Sequence, residues 1–224
     1  MAAEKTVITC EVLRLEMEKL IDGRDIGLEV VEAALHRTPR KMPQRLNEIV
    51  RKAEEGGARE IIMGYGLCSH GLNGLRCGGR SLKIAKCHDC LGLLLGSSER
   101  HQKVLAQWPG ALYMFAGMVA ASFDPLSCLE RDYVPRLGEK KALRAMELSF
   151  KHYTHFAYIE NRVNDDPKYK KRFLENCRVF GKEPLELDSD LNYFHKLLFG
   201  PDQPSKDIIM LTAGQQLASD DFLN

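Results

Sequence analysis

The sequence lacks an apolar run long enough to cross a bilayer, and its first residues, Met1 to Lys5, lack the long apolar segment of a secretory signal. It also lacks an excess of either charge, because 32 basic and 31 acidic side chains leave a net charge of +1. No long-range field therefore favours nucleic acid or an anionic membrane as a partner. We expect a cytoplasmic protein that meets a small molecule or another protein, and the composition leaves a homo-oligomer open.

No internal repeat is present either, but short apolar runs and helical patterns alternate along the chain. With 44% hydrophobic residues among 224, the chain can supply a sizeable core. Strands are predicted over residues 5–10, 26–34, 61–63, 82–85, 111–116, 155–159, 184–187 and 207–212. Helices are predicted over residues 11–20, 42–55, 99–108, 139–153, 168–180 and 190–199. This alternation predicts an α/β fold with a mostly parallel, Rossmann-like sheet.

We expect one α/β domain over residues 1–224. Because both halves have the same alternating order, two similar lobes over residues 1–116 and 139–224 also satisfy the pattern. Residues 117–138 show no clean period and are interpreted as a connector or lid. Asp165 and Asp166, followed by a proline, are predicted to cap the helix that comes next.

Seven cysteines are present, an odd number without the regular spacing of a disulfide framework. In a reducing cytosol such thiols serve as metal ligands, catalytic groups or buried core residues. Cys10 ends the first predicted strand, Cys68 follows the third, and the segment from Cys87 to Cys90 follows the fourth. The carboxyl ends of strands in an open α/β sheet form the crevice where ligands bind. These thiols are therefore predicted to face one site.

The residues Cys87-His88-Asp89-Cys90 form a C-x-x-C, but the second pair of a zinc ribbon is missing. Thiolates with an imidazole suit Zn²⁺ or an iron–sulfur cluster, and a site with three protein ligands leaves an open position for chemistry. Asp89 is a candidate to orient His88 from outside the ligand set. Two other interpretations stay open. The thiols are small core residues, or Cys90 is a nucleophile activated at the start of an apolar helix over residues 91–95, with His88 or His70 as its base.

The loop from Gly64 to Leu75 does not match a phosphate-binding fingerprint, but its glycines allow a ligand to approach the backbone closely. Its candidate hydrogen-bonding groups are Tyr65, Ser69 and Asn73. A second candidate is the basic segment around His36 and Arg37, which precedes a helix start. That segment either holds a carboxylate or phosphate group or is a solvated loop.

Four blocks of the sequence follow a familiar order: Thr9 to Leu13, Leu35 to Pro39, Gly64 to Cys68 with Asn73 to Leu75, and His88 to Cys90 with Leu94 to Gly96. In these blocks the chain resembles the prokaryotic domain-of-unknown-function family number 1638. The resemblance picks out Cys10, Glu11, His36, Cys68, His88, Asp89 and Cys90, whereas Cys87 looks like an addition to its block. Members of this uncharacterised family are often encoded beside corrinoid-dependent methyltransferases in anaerobes. That context implies a role in methyl-group or corrinoid metabolism.

We therefore expect a metal-binding protein, with zinc favoured, whose ligands are Cys10, Cys68 and Cys90, with Cys87 as a further candidate. As a thiol or methyl transfer enzyme it would use Glu11 or His88 to move a proton. Asp89 is the third candidate catalytic residue. Its substrate-binding candidates are His36, Arg37, Tyr65 and Asn73. One alternative is an iron–sulfur or metal-carrying accessory protein for a corrinoid methyltransferase, with corrinoid present only through that partner. The other is a metal-free enzyme with Cys90 as its nucleophile.

Overall fold

The computed structural model describes residues 3–68, 70–161, 163–164 and 166–222. Helices and strands alternate along these residues, which confirms the predicted α/β fold. The strands are β1 (Lys5–Cys10), β2 (Ile26–Val31), β3 (Glu60–Gly64), β4 (Ser81–Ala85), β5 (Ala111–Phe115), β6 (His155–Glu160), β7 (Glu183–Asp188) and β8 (Ile208–Thr212). The α-helices are α1 (Arg14–Ile21), α2 (Met42–Glu55), α3 (Cys90–Leu94), α4 (Ser98–Gln107), α5 (Ala116–Ala120), α6 (Pro125–Cys128), α7 (Val134–Leu137), α8 (Glu139–Ser149), α9 (Pro167–Phe180) and α10 (Asn192–Phe199). None of the helices within the described ranges is long and apolar enough to span a membrane.

The strands form two sheets. The first has five strands in the order β2-β1-β3-β4-β8, in which the first four run parallel and β8 runs antiparallel to β4. The second has three parallel strands in the order β5-β6-β7. The prediction of mostly parallel sheets is therefore confirmed.

The chain divides into two compact units. Residues up to 102 and from 190 onward form the first unit, which contains the five-stranded sheet. Residues 103–189 form the second unit, which contains the three-stranded sheet. The expected connector over residues 117–138 lies within the second unit and is largely helical, because α5, α6, a π-helix over Leu129–Tyr133 and α7 follow one another there. The choice between one domain and two lobes stays a prediction.

Asp124 explains why a helix, α6, begins within the expected connector. Its carboxylate accepts a hydrogen bond from the Ser127 backbone N–H (3.2 Å) at the start of α6, and Pro125 occupies the first helical position. The Asn176 side chain of α9 donates to the same carboxylate at 2.8 Å, so this fully buried aspartate is well paired. Helices of one turn offer too few positions to show a hydrophobic period, and the sequence pattern therefore missed them.

The ends of the predicted strands agree with the structure to within three residues. The largest difference is in β2, which ends at Val31 because its neighbour β1 ends at Cys10, directly opposite. The chain continues from there as a 3₁₀ turn over Ala33–Arg37. Asp166 caps α9 as expected, accepting the Lys168 backbone N–H at 3.0 Å, while Asp165 lies outside the described residues.

In the first sheet, the strands that lead to the thiols are deeply buried. Ile8 of β1, Met63 of β3 and Ile84 of β4 are fully buried, and Met42 and Leu46 of α2 belong to the same core. A one-residue shift in register would move these apolar side chains to the opposite face. The core therefore fixes where the carboxyl ends of β1, β3 and β4 lie.

One charged residue, Lys83, is buried in the middle of β4 with 2% of its surface exposed. Its ammonium donates to the Gly200 carbonyl at 2.7 Å and to the Asp202 carboxylate at 2.9 Å. Gly200 directly follows α10, so the lysine joins the sheet to the carboxyl end of that helix, where a cation is favourable. These two bonds compensate the burial of the charge.

Replacing Lys83 by methionine keeps most of the apolar chain but removes both donors and leaves the Gly200 carbonyl without this partner. We expect the free energy of unfolding of Lys83→Met, measured by urea denaturation, to fall by about 1–3 kcal/mol. The matched control is Lys52→Met, at an exposed lysine of α2, which should change it by less than about 0.5 kcal/mol. Equal stability of the two variants would contradict this role for Lys83.

Candidate functional site

The candidate site lies at the carboxyl edge of the first sheet, where β1, β3 and β4 end side by side. The chain passes from β1 to β2 on one side and then to β3 on the other, so the strand order reverses between β1 and β3. Ligands of open α/β sheets bind at such topological switch points. Cys10 is the last residue of β1, and the loop that carries Cys68 begins beside it, because Thr9 lies opposite Gly64 in the sheet.

The loops that follow β3 and β4 lie in direct contact. The Leu67 N–H donates to the Cys87 carbonyl at 2.8 Å, and the Cys68 N–H donates to the His88 carbonyl at 2.9 Å. Gly66 permits this contact, because a Cβ at its position would lie 2.6 Å from the backbone of Asp89. The structure therefore brings Cys68 and the segment from Cys87 to Cys90 together.

Cys68 has a backbone conformation that few residues with side chains adopt, with φ at 48°. The left-handed region costs a non-glycine residue about 1–2 kcal/mol. Two hydrogen bonds hold Cys68 there: its N–H donates to His88, and its carbonyl accepts the Gly71 N–H at 3.0 Å. Backbone strain of this kind is concentrated at functional sites. Ser69, a candidate hydrogen-bonding group from the sequence, lies outside the described residues.

The thiols of Cys10, Cys68 and Cys90 are close enough to influence one another's ionisation. The pKa of Cys68 is raised to about 12, first by burial and then by the negative charges of Cys10 and Asp89. The pKa of Cys90 is raised well above its ordinary value by burial, and the neighbouring thiols and Asp89 add to this. Burial raises the pKa of Cys10 too, although backbone N–H groups and the Tyr65 hydroxyl partly oppose the change. At neutral pH all three groups are therefore protonated thiols.

The raised pKa of Cys90 bears on the alternative in which this thiol is a nucleophile. In that interpretation the start of the following helix lowers the pKa of the thiol and activates it. Cys90 does begin α3, but the helix has only five residues, and the Asp89 carboxylate already accepts the Leu91 N–H at 2.9 Å. Burial and the nearby negative charges outweigh the field of so short a helix.

Tyr65 is a buried hydroxyl at this site, with 3% of its surface exposed. Among the described residues its oxygen has no hydrogen-bond partner of ordinary geometry, although the Cys10 thiol lies near enough to affect its ionisation. Burial raises the pKa of Tyr65 well above its ordinary value, and the charges of Cys10 and Cys68 raise it further. A buried hydroxyl without a partner costs about 1–3 kcal/mol. A ligand atom beside Cys10 that accepts a hydrogen bond would recover that energy.

Asp89 lies against a histidine that the sequence pattern did not select. The Asp89 carboxylate is 3.4 Å from Nε2 of His101, a residue of α4 that is 2% exposed. Burial lowers the pKa of His101, while the charge of Asp89 partly raises it and that of His88 lowers it. His88, the imidazole proposed from the sequence, is exposed. The helical pattern of α4 indicated only that His101 was a surface or core residue, and nothing local marked its contact with Asp89.

The remaining predicted residues are Glu11, His36, Arg37 and Asn73. The Glu11 carboxylate accepts the Ala33 backbone N–H at 3.1 Å, which ties the end of β1 to the turn after β2, and its charge contributes to the raised pKa of Cys10. The exposed candidates are His36, Arg37 and Asn73. Within the described residues, no side-chain hydrogen bond joins His36 or Asn73 to the thiols. The substrate-binding roles of these three residues stay predictions.

As the described side chains stand, no three His, Cys, Asp or Glu residues are arranged to hold one metal ion. All seven cysteines are free thiols. Cys77 lies in the loop before β4, with its Sγ 3.7 Å from the Gly79 carbonyl, and Cys128 and Cys177 lie in the second unit. The thiols at the strand ends therefore share an electrostatic environment without forming a finished ligand set.

The rate at which iodoacetamide alkylates each thiol, followed by peptide mass spectrometry, tests these pKa directions. Only the thiolate reacts, and its fraction rises about tenfold per pH unit below the pKa. Cys68 and Cys90 should therefore react faster with each step from about pH 7 to pH 10, whereas in the urea-unfolded chain their rates should level off above the ordinary pKa of about 8.5. A plateau for folded Cys90 near neutral pH would instead favour an activated nucleophile.

Comparison with known protein families identifies the family of this chain. The chain belongs to the family described as Protein of unknown function (DUF1638), whose model matches residues 30–198. The matched region contains Cys68, the segment from Cys87 to Cys90 and His101, whereas Cys10 and Glu11 precede it. No curated protein and no solved structure matches the chain.

Proposed function

We propose that the chain binds a thiophilic metal ion, with zinc favoured, through Cys10, Cys68 and Cys90. The observation that carries this proposal is the convergence of three thiols from three neighbouring strand ends at the topological switch point. Thiolate sulfur is the ligand that selects zinc and iron–sulfur clusters over hard cations. Cys87 remains a further candidate ligand from the same loop.

The chemistry of the thiols supports a cation as the occupant. Without a cation, burial and mutual repulsion keep the protons on the sulfur atoms. A divalent ion among them would offset the repulsion between thiolates and displace these protons. Because the described side chains do not form a ligand set as they stand, the proposal includes a rearrangement of the side chains on binding. Cys10 and Cys90 are half-buried, whereas Cys68 is buried.

The surrounding residues suggest how such a site would act on a substrate. Three protein ligands leave a position for a small thiol or a methylated compound, and bound zinc lowers the pKa of a thiol that it holds. Tyr65 would donate a hydrogen bond to an atom held beside Cys10. Glu11 and His88 are the proposed proton carriers, and the Asp89–His101 pair would hold the loop after β4 in place. Thiol or methyl transfer in methyl-group or corrinoid-linked metabolism is the activity that we propose.

Elemental analysis and an absorption spectrum of the protein purified without oxygen test the metal. We expect about one zinc ion per chain and no visible absorbance, as for a closed-shell ion held by thiolates. Cys10→Ala, Cys68→Ala and Cys90→Ala should each lose the zinc, because each removes one of the three ligands. The matched controls Cys77→Ala and Cys177→Ala remove buried thiols away from the strand ends and should keep it.

Two results would change the proposal. Iron with a broad visible band, lost in the same three variants, would assign the site to a cluster and favour an accessory protein of a corrinoid methyltransferase system. Protein that holds no metal, even after incubation with zinc under reducing conditions, would overturn metal binding.

The Tyr65 hydroxyl offers a separate test. In Tyr65→Phe the three sulfur ligands remain, so zinc should still bind, but loss of a hydrogen bond to the bound sulfur should weaken it by about 10–100-fold. Competition with a chromophoric chelator measures the affinity. The control Tyr113→Phe removes a hydroxyl of the second unit that donates to the Trp108 carbonyl at 3.1 Å, and it should leave zinc affinity unchanged. Equal zinc affinity in the two variants would remove Tyr65 from the site.

A further inference from the structure

A small cavity lies beside the thiols, at the carboxyl end of β4. Its volume is about 130 Å³. The lining residues are Lys86, Cys87, His88, Ser98, Gln102, Lys206 and Phe222, which all belong to the first unit. Lys86 directly follows β4 and Lys206 closely precedes β8, and the Lys86 N–H donates to the Asp207 carbonyl at 2.9 Å. The antiparallel pairing of β4 and β8 therefore brings two lysines that are far apart in the sequence to one cavity.

The charge of this cavity has one sign. Two lysines and a histidine line it, and none of its described lining residues is an aspartate or a glutamate. Two lysines of the same unit are each paired with a carboxylate, Lys5 with Glu60 at 2.9 Å and Lys196 with Asp207 at 2.8 Å. In the described part of the chain, neither Lys86 nor Lys206 forms an ion pair with a carboxylate. Basic groups gathered without a counter-charge are the arrangement that an anion would stabilise.

The polar groups of the cavity are mostly donors. The ammonium groups and the Gln102 amide can all donate, and ammonium groups carry no acceptor. The Ser98 hydroxyl is already engaged, donating to the Lys86 carbonyl at 2.9 Å. The wall that completes the cavity contains the Phe222 ring and the buried Cys87. A compact oxyanion, which offers several acceptors and a negative charge, fits this set of groups.

We infer that this cavity binds the oxyanion group, phosphate or carboxylate, of a small-molecule substrate. Cys87 connects the two sites, because it lines the cavity while its carbonyl accepts the Leu67 N–H, in the loop that carries Cys68, at 2.8 Å. A ligand whose anionic group lies between Lys86 and Lys206 would extend towards the thiols. This connection to the thiols rests on the proposed function. It implies that the substrate of the thiol site is a small anion. The anionic end is then held by these lysines and not by Arg37.

Titration of the zinc-free protein with inorganic phosphate, followed by calorimetry, tests the cavity without relying on the metal. We expect saturable binding that weakens with added salt. In the double variant Lys86→Gln with Lys206→Gln, the affinity for phosphate should fall by about tenfold or more. The matched control, Lys41→Gln with Lys52→Gln, removes the same charge at two exposed lysines of the same unit and should bind phosphate as before. Acetate in place of phosphate distinguishes the two oxyanions, and tighter binding of acetate would assign a carboxylate.

Alkylation of Cys87 locates the bound anion. Phosphate should slow the reaction of Cys87 with iodoacetamide at about pH 9, because the ion covers the thiol, while the reaction of Cys77 should not change. Binding of neither oxyanion, or equal binding in both double variants, would overturn the inference. Zinc content separates the two hypotheses: a double variant that keeps zinc but loses phosphate supports the cavity alone, and wild-type protein that binds phosphate but no zinc overturns only the proposed function.

Discussion

The backbone contact between the loops after β3 and β4 is the constraint on which the rest of the site depends. Two N–H groups, those of Leu67 and Cys68, donate to the carbonyls of Cys87 and His88, and Gly66 allows the chains to approach this closely. The contact holds Cys68 in a left-handed conformation and places its thiol beside the loop that ends in Cys90. Because β1 lies next to β3 in the sheet, Cys10 completes the group.

This arrangement concentrates groups that repel one another when ionised. Each thiol is buried or half-buried, Cys10 raises the pKa of Cys68, and both raise the pKa of Cys90, while the Asp89 carboxylate adds a further negative charge. A cation bound among these thiols, as we propose, would offset the repulsion between them. The cavity that Cys87 also lines is basic, whereas the group of thiols and Asp89 becomes negative on ionisation. The two would orient a ligand whose anionic end lies in the cavity and whose other end lies at the thiols.

Much of the fold could be predicted because its signals are local. A buried strand and an amphipathic helix each show their period within a dozen residues, so the order of strands and helices and most of their ends agree with the structure. The short helices between residues 117 and 138 were missed, since one turn shows no period. The cap of α6, Asp124, is moreover held by Asn176 from a distant helix. The end of β2 was misplaced for a similar reason, because its length is set by its neighbour β1.

The sequence by itself determined the α/β alternation and the placement of Cys10, Cys68 and the Cys87 to Cys90 segment at strand ends, because both follow from the hydrophobic pattern around each residue. Only the tertiary structure decided that Asp89 meets His101, that the Cys90 thiol is held protonated, and that Lys206 shares a cavity with Lys86. These features arise where loops and strands from separate parts of the chain meet. The distances and burial that control their electrostatics exist only after the sheet has formed.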